Sequence, residues 1–339
     1  MSGDDGPGAG MTGREPEMTA PVGVLVMAYG SADGPGDVRR YYTDIRGGRP
    51  PSPEHLAELR GRYAAIGDRF PLLDITTGQA KGLERELNDG GGGAYRTYLG
   101  MKHSPPFIAD AVATMRRDGI ERAVGIVMAP HWSAMSVETY VERVQEALSG
   151  GGPAFTFVRS YHDHPMFVDL LAGRVKDALG RLTDPSREKA AVVFSAHSLP
   201  VRTSDDGSLR CKSCDCEDRC RYRDELQETA DLVGARLKLS TYTIGWQSAG
   251  RTGDPWWGPP LQDVIRDLAA NGHRAVVVCS AGFVADHLEI LYDLDIEANR
   301  VAEEAGVEFA RTEMPNADPS FVRMLATVIR QHLGAVAAA

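Results

Sequence analysis

The sequence predicts an α/β protein built from two similar Rossmann-like domains, each a four-stranded parallel sheet flanked by helices. Short apolar runs rich in β-branched residues recur along the chain, amphipathic stretches separate them, and the runs form two sets of four. Apolar strands joined by helices are typical of parallel sheets that are covered on both faces. The length of 339 residues also exceeds one ordinary core and suggests two domains.

The eight predicted strands divide evenly between the two halves of the chain. They are expected within 22–30, 95–103, 122–133 and 155–165, and then within 190–200, 239–248, 274–287 and 307–316. Intervening stretches such as PFIADAVATMRRDGI and PPLQDVIRDLAANGH have the periodicity of amphipathic helices. We expect an N-terminal domain over 21–165 and a C-terminal domain over 166–335. Related patterns in the two halves suggest an old duplication, although any two strand–helix units look alike.

Composition narrows the possible classes of protein. The net charge of -10 and the pI of about 5.4 disfavour non-specific binding to nucleic acid or anionic lipid. The chain lacks an apolar run of about 18 residues, so no membrane span is expected. Residues 1–20 are rich in Gly, Pro and acidic residues and predict a disordered tail rather than a secretory signal. A cytoplasmic protein is therefore expected.

Polar side chains follow several of the predicted strands directly. In a parallel sheet, ligands bind beyond the carboxyl ends of the strands, so a cleft between the two domains is expected there. No helix opens with a GxGxxG or Walker A pattern, which argues against a nucleotide cofactor. The residues in question are Tyr29, His103, His131, His197 and the segment GFVADHLE.

A row of carboxylates extends from the last of these segments. A helix predicted over 283–300 places Glu289, Asp293 and Glu297 four residues apart on one face, and Asp286 extends the row. A solvated acidic face is the ordinary explanation of such a row. If neighbouring strands bring His197 to Glu289, the imidazole can accept a proton or, together with the carboxylates, bind a divalent metal such as Fe²⁺.

Taken together, the motifs along the chain resemble those of the ferrochelatase family. The resemblance covers about residues 21–335 in order, with one insertion. No single motif carries it, but the set is highly specific. The motifs are VLVMAYGS, YYTDIRGGRPPSPE, LGMKHSPPFIADAV, APHWSAMSVETY, SAHSLP, GWQSAG, DPWWGPPLQD, GFVADHLEILYDLDIEA and EMPNADPSFV.

The resemblance implies a porphyrin cleft between two Rossmann-like domains and a lyase that inserts Fe²⁺ into a free-base porphyrin. The segments MAYGS and YYTDIRGGR look most like the Gram-positive branch, whose members make iron coproporphyrin III on the way to haem. Arg46 and Arg62 match family positions that touch the porphyrin carboxylates, and Arg suits bidentate pairing with carboxylate. A monomer is expected, as in those members.

The resemblance also implies roles for individual residues. His197 and Glu289 match the pair that binds the incoming Fe²⁺ or removes the pyrrole protons. Asp293 and Glu297 match an acidic ridge proposed to relay metal or protons. The matches to porphyrin-contacting positions are Tyr29, which can ligate iron in the product, Tyr63 and Tyr140. The chain departs from close relatives at Phe70, where a small polar residue is common, and a hydroxyl–propionate contact is in doubt there.

The aromatic pair Trp256 and Trp257 could press on the porphyrin ring, although core packing is expected for at least one of them. Cys279 lies within a predicted strand, and we expect it to be a buried apolar thiol.

Four cysteines form a separate pattern, C-x₂-C-x-C-x₃-C, within an inserted segment at 205–222. They are Cys211, Cys214, Cys216 and Cys220. Four thiolates can hold a [2Fe–2S] cluster or a tetrahedral Zn²⁺, and the spacing alone does not choose between them. Disulfides are disfavoured in the cytoplasm. Some ferrochelatases, actinobacterial ones among them, carry [2Fe–2S] clusters, so the resemblance favours the cluster, with a stapling or sensing role.

Other functions remain compatible with these patterns. One is insertion of iron into protoporphyrin IX, and another is insertion of cobalt or nickel into a different tetrapyrrole. A third is a non-catalytic porphyrin or haem carrier, or an iron–sulfur sensor, on the same fold. The segments around Tyr29 and Arg46 favour the iron branch, and the intact pair of His197 and Glu289 argues against a dead enzyme.

Overall fold

The strands of the protein form two parallel sheets and one small hairpin. The computed structural model describes residues 20–89, 94–203, 207, 209–212, 221–250 and 253–338. Within these residues the strands are β1 (Val22–Ala28), β2 (Tyr95–Met101), β3 (Arg122–Val127), β4 (Ala154–Val158), β5 (Ala190–His197), β6 (Val201–Thr203), β7 (Leu209–Cys211), β8 (Tyr242–Gln247), β9 (Ala275–Cys279) and β10 (Glu308–Arg311).

The helices cover both sheets. They are α1 (Val38–Ile45), α2 (Pro53–Ala65), α3 (Leu72–Leu87), α4 (Ile108–Arg117), α5 (Val137–Ala147), α6 (Pro165–Gly180), α7 (Asp184–Arg187), α8 (Tyr222–Leu237), α9 (Leu261–Ala270), a π-helix (Ile290–Ala298), α10 (Asn299–Glu304) and α11 (Pro319–Ala338), with a short 3₁₀ turn at Leu148–Gly150. Among the described residues, no helix has the length and apolar character needed to cross a membrane.

All eight predicted strands are present, and the predicted fold class is confirmed. The first sheet has the order β2-β1-β3-β4 and the second the order β10-β9-β5-β8, and all neighbours in both are parallel. The central strands are apolar along their whole length because helices cover both faces. Thus β1 is buried from Gly23 to Ala28 and β9 along its entire length. The predicted ranges are longer than the strands because polar loop residues follow the carboxyl ends.

The two halves are packed tightly against each other. The last helix, α11, crosses back to pack on α3 of the first half, and one cluster of buried apolar residues includes Val24 of the first sheet and Phe194 of the second. The buried amide of Gln79 on α3 donates to the carbonyl oxygens of Val284 (3.2 Å) and Asn316 (2.9 Å). The two halves therefore share part of one core. The division at residue 165 stays a proposal.

The predicted helix over 283–300 differs from the structure in two ways. It begins only at Leu288, and from Ile290 it is a π-helix, whose backbone hydrogen bonds close one residue later than in an α-helix. Asp286 precedes the helix and does not extend the carboxylate row, which corrects that expectation. Its carboxylate instead accepts from Arg311 Nη2 (3.2 Å) and Asn316 Nδ2 (2.7 Å). An apolar pattern of period near four does not distinguish the two kinds of helix.

The cysteine-rich segment is described only in part. Cys211 is buried at the end of β7, where it pairs with Val201 in the β6–β7 hairpin. Cys214, Cys216 and Cys220 lie outside the described residues.

Candidate active site

The carboxyl ends of β5 and β9 bring a histidine and a glutamate together. His197 is the last residue of β5, and the loop after β9 passes directly over this strand, with the backbone N–H of Gly282 donating to Ser195 O (3.0 Å). A Cβ at residue 282 would lie 2.4 Å from Ala196 Cβ, so only glycine permits the approach. This close passage carries the chain on to Glu289, whose Oε2 lies 3.7 Å from His197 Nε2.

The tautomer of His197 follows from its backbone contact. Its Nδ1 lies against the carbonyl oxygen of Ser198, which can only accept a hydrogen bond, so Nδ1 carries the proton. In its neutral form the imidazole therefore presents the lone pair of Nε2 toward Glu289. The backbone oxygen of His197 accepts from Tyr222 Oη (3.0 Å), which ties the strand end to α8. His197 is thus oriented to bind a proton or a metal at Nε2.

Glu289 is held as a carboxylate. Burial is the largest single influence and raises its pKa, but the combined effects of His197, of His287, whose Nε2 lies 3.9 Å from Glu289 Oε2, and of Ser248 outweigh burial. Together they lower the pKa of Glu289 to about 2. Burial opposes protonation of His287, yet its contacts with Glu289 raise the pKa of that imidazole. The sequence reasoning missed His287, although it stands in the motif that was singled out, because its neighbour in space could not be known.

Asp293 lies deeper in the same row, and its pKa is shifted in the opposite direction to that of Glu289. Only 3% of the residue is exposed, and burial together with the charge of Glu289 raises its pKa to about 6. Ser248 Oγ donates to Asp293 Oδ2, and Arg62 Nη1 lies 3.9 Å from Oδ1. Glu297 is half-buried farther along the π-helix. The row thus pairs an ionised carboxylate with one that titrates near neutrality, an arrangement that can pass protons.

Tyr29 follows β1 and is 41% exposed. Its ring centroid lies 4.6 Å from that of His103, whose Nδ1 is 2.7 Å from Asp44 Oδ1. Desolvation by the surrounding protein raises the pKa of Tyr29 strongly, and the nearby charge of Glu289 raises it further. Tyr29 is therefore a neutral phenol within electrostatic reach of the carboxylate row.

Lys102 is a second residue of this region that the sequence reasoning missed. Its Nζ donates to Thr139 Oγ1 (2.6 Å) and lies over the rings of Tyr29 (5.9 Å) and Tyr140 (5.1 Å). Burial, with help from the charge of Arg143, lowers its pKa to about 8. Tyr140 is buried, so its ring supports Lys102 and exposes almost no surface.

The two arginines predicted to bind the porphyrin carboxylates differ in their surroundings. Arg46 is exposed at the end of α1 and lies over the ring of Tyr42 at 5.9 Å. Arg62 lies over the ring of Tyr292 at 5.1 Å, and its Nη2 is 3.4 Å from Glu58 Oε1. Part of the charge of Arg62 is thus already balanced by protein carboxylates, while Arg46 projects into solvent.

Tyr63 and Phe70 form a packed pair rather than an open contact surface. Their rings are stacked with centroids 4.4 Å apart, and Tyr63 is buried. Burial raises the pKa of Tyr63 to about 12. Both rings join the apolar cluster that includes Leu291 of the π-helix, so they attach α2 to the carboxylate row.

Three other residues considered from the sequence lie in the core. His131 is buried at α8 with its Nε2 3.0 Å from Thr229 Oγ1, and burial lowers its pKa to about 3. Trp257 is buried and stacked on Trp246 at 6.2 Å, while Trp256 is half-buried. Cys279 is fully buried in β9, as expected, and burial raises the pKa of its thiol to about 12.

Known proteins resemble this chain along nearly its whole length. The family model described as Ferrochelatase matches residues 21–333. A coproporphyrin III ferrochelatase of Anoxybacillus flavithermus is 47% identical over 315 residues, which cover 92% of this chain and 96% of that protein. A coproporphyrin III ferrochelatase of Bacillus subtilis is 45% identical over 316 residues, with coverage of 92% and 98%.

Solved structures show the same fold at low identity. The sirohydrochlorin chelatase SirB from Bacillus subtilis subspecies spizizenii, in complex with cobalt, matches with a TM-score of 0.53 at 10% identity and covers 92% of this chain and 94% of its own. CbiX, described as the terminal enzyme of sirohaem biosynthesis in denitrifying bacteria, matches with a TM-score of 0.50 at 12% identity over 91% and 98%. On the family match and the two relatives, this chain belongs to the ferrochelatase family.

Proposed function

We propose that this protein inserts Fe²⁺ into coproporphyrin III to give iron coproporphyrin III for haem synthesis. The observation that carries the proposal is the pair of His197 Nε2 and Glu289 Oε2, 3.7 Å apart at the end of β5 and backed by Asp293. The curated relatives that match nearly the whole chain bear the name of this activity. Protoporphyrin IX is the alternative substrate.

The chemistry requires one metal ion to enter the ring and two pyrrole protons to leave it. The lone pair of His197 Nε2 and the carboxylate of Glu289 can bind Fe²⁺ or accept these protons at neutral pH. Asp293, with a pKa of about 6, can take a proton from Glu289 and pass it along the row toward Glu297. Tyr29 provides the phenol that would ligate the iron of the product.

The preference for coproporphyrin rests on charge. Its four propionates need cationic partners, and Arg46 and Arg62 are proposed to supply them, with the buried rings of Tyr63 and Tyr140 supporting the binding region. Arg46 is exposed and free to turn toward a carboxylate. We further propose that the protein acts in the cytoplasm as a monomer, with the division into 21–165 and 166–335 as its two domains.

The direct test is an anaerobic assay of the purified protein with Fe²⁺ and either porphyrin, followed by absorbance. We expect coproporphyrin III to be metallated with a higher kcat/KM than protoporphyrin IX. Faster turnover of protoporphyrin would overturn the substrate, and failure to metallate either porphyrin would overturn the enzymatic function.

We also propose that Cys211, Cys214, Cys216 and Cys220 hold a [2Fe–2S] cluster, with Zn²⁺ as the alternative metal. Burial of Cys211 beside β6 fits a ligand that attaches the segment to the fold. The Cys214→Ser variant should lose a visible chromophore and unfold at a lower temperature. A variant that remains brown and equally stable would remove Cys214 from the ligand set, and a colourless wild-type protein containing zinc would favour the alternative.

A further inference from the structure

A second cluster of ligand-type side chains lies outside the cleft, between the loop after β4 and α8. Its members are His162, Asp163 and Glu228, which can each offer one ligand atom, and these atoms all lie within 4.8 Å of one another. His162 is buried, whereas Asp163 and Glu228 are exposed. The loop belongs to the first half of the chain and α8 to the second.

The hydrogen bonds behind His162 determine its tautomer. Ser160 Oγ lies 2.8 Å from His162 Nδ1, 2.9 Å from Pro130 O and 2.9 Å from Glu225 Oε2. A hydroxyl has a single proton, and both the carbonyl and the carboxylate can only accept one. When the Ser160 proton goes to one of these two oxygens, the contact with His162 is satisfied by a proton on Nδ1 that is donated to Ser160; the other oxygen still accepts from a backbone N–H, that of Tyr161 or Trp132.

With this tautomer, two hydrogen-bond acceptors face each other, His162 Nε2 and Glu228 Oε2. The lone pair of the neutral imidazole is then on Nε2, which lies only 3.0 Å from Glu228 Oε2. A lone pair and a carboxylate oxygen repel at this distance unless a positive centre lies between or beside them. The guanidinium of Arg221 lies beside Glu228 but not between the two groups. A proton on Nε2, which gives an imidazolium, and a metal ion bound by both groups are the two centres that can lie between them.

The surroundings of the ring favour the metal ion. The buried carboxylate of Glu225 stands behind His162, with its Oε2 3.4 Å from Nδ1. A carboxylate that orients a histidine from behind, so that the other ring nitrogen faces outward, is the usual support of a metal-ligating histidine. Glu225 is itself fixed, since the backbone N–H of Trp132 donates to it (2.7 Å).

We propose that His162 Nε2, Asp163 and Glu228 form a binding site for a divalent first-row metal ion of the Zn²⁺ type. One imidazole nitrogen and two carboxylate oxygens suit such an ion, with water completing the coordination. The ligand atoms already lie within 4.8 Å of one another, and the two carboxylates are exposed. Arg221 Nη2, 3.6 Å from Glu228 Oε2, must give up this contact when the ion binds.

The site would connect the two halves of the chain close to the cleft. Glu228 lies on α8, and the first residue of this helix, Tyr222, donates to the backbone oxygen of His197. An ion that joins Glu228 to the loop after β4 would therefore fix the helix that supports His197. The proposed ion would act only through the position of α8 and would take no part in binding the iron substrate.

The experiment is a calorimetric titration of the full-length protein with Zn²⁺, comparing the wild type with Glu228→Gln and Asp163→Asn. Zinc bound in the cleft or by the cysteines is common to all three proteins and cancels in the comparison. We expect each variant to lose one site or to bind at that site at least about ten-fold more weakly, since loss even of a supporting residue costs that much. The matched control is Glu121→Gln, which makes the same chemical change at an exposed position beside β3.

A second measurement locates the ion. In histidine-labelled protein, Zn²⁺ should shift the Nε2 resonance that disappears in the His162→Gln variant, and the shift should be absent in Glu228→Gln. An equal number and strength of Zn²⁺ sites in wild type and both carboxylate variants would overturn the proposal. So would an Nε2 that stays protonated at saturating Zn²⁺, because His162 would then be an imidazolium between two carboxylates.

Discussion

The two histidine–carboxylate pairs of this protein have similar components and different surroundings. His197 is 35% exposed, its Nδ1 contacts a backbone carbonyl, and its Nε2 lies 3.7 Å from Glu289. His162 is 7% exposed, has the buried carboxylate of Glu225 behind it, and its Nε2 lies 3.0 Å from Glu228. A neutral carbonyl stabilises positive charge on an imidazole less than a carboxylate does. The first pair is therefore suited to reversible exchange of protons or metal and the second to retention of a cation.

Of the variants that distinguish the two histidine–carboxylate pairs, His197→Ala is expected to have the largest effect on turnover. Because the substitution removes the Nε2 lone pair, kcat/KM for iron insertion should fall by about 100-fold or more, as is typical of a lost proton-transfer or ligand group. Binding of coproporphyrin, followed by fluorescence quenching, should persist. The control is His273→Ala, at the opposite end of the second sheet from the cleft. Turnover that survives in His197→Ala would place the chemistry elsewhere.

The reciprocal effect is expected for His162→Gln. Removal of the imidazole takes away the contact between Nδ1 and Ser160 and the ring beside the buried carboxylate of Glu225, and leaving buried polar groups without a partner costs about 2 kcal/mol. Chemical denaturation at pH 7 should report this loss in the free energy of unfolding. Turnover, measured well below the unfolding temperature, should change by less than about three-fold, because no ligand of the cleft is removed. A large loss of turnover in the stable protein would show that the two pairs are not separable.

A third effect concerns pH and the carboxylate row. The pKa of Asp293 is raised from 3.8 to about 6, so the native state retains a proton that the unfolded chain releases. Ionised Asp293 therefore destabilises the protein progressively as the pH rises from about 4 to about 6, by up to about 3 kcal/mol. Asp293→Asn should be more stable than the wild type at pH 7.5, show little or no such gain at pH 4, and turn over more slowly.

The opposite dependence is expected for Glu289, whose pKa is lowered to about 2. Its stabilising contribution is present above pH 4.5 and is lost as the pH falls toward 2. Thermal unfolding of Asp293→Asn and Glu289→Gln across this range is the measurement. Parallel curves for the two variants would contradict the assignment of opposite shifts.

The smallest effect is expected for Arg46→Gln. An exposed ion pair between Arg46 and a propionate contributes about 1 kcal/mol or less, so KM for coproporphyrin III should rise by several-fold at most. The increase should shrink at high salt, because the charges are screened. Arg49→Gln, an exposed neighbour, is the matched control. A KM that is unchanged at low salt would remove Arg46 from the proposed anchors.

The sequence predicted the features that depend on local pattern. The strand positions followed from apolar runs, and the meeting of His197 with Glu289 followed from the rule that parallel strands present their carboxyl ends at one edge. Lys102, Asp44 and His287 were missed because their significance lies in contacts with residues distant in the chain. The tautomer of His162 likewise depends on Ser160, Pro130 and Glu225, whose arrangement no spacing in the sequence reveals.

The π-helix at Ile290–Ala298 makes the carboxylate row sensitive to insertions and deletions. A π-helix closes each hydrogen-bonded ring with one residue more than an α-helix does. Deletion of a single residue between Glu289 and Glu297 would remove the extra residue and allow this segment to form an α-helix. The spacing of four residues along the row of Glu289, Asp293 and Glu297 would then be lost on one side of the deletion. An insertion or deletion here should therefore damage the carboxylate row more than most single substitutions, which keep the spacing intact.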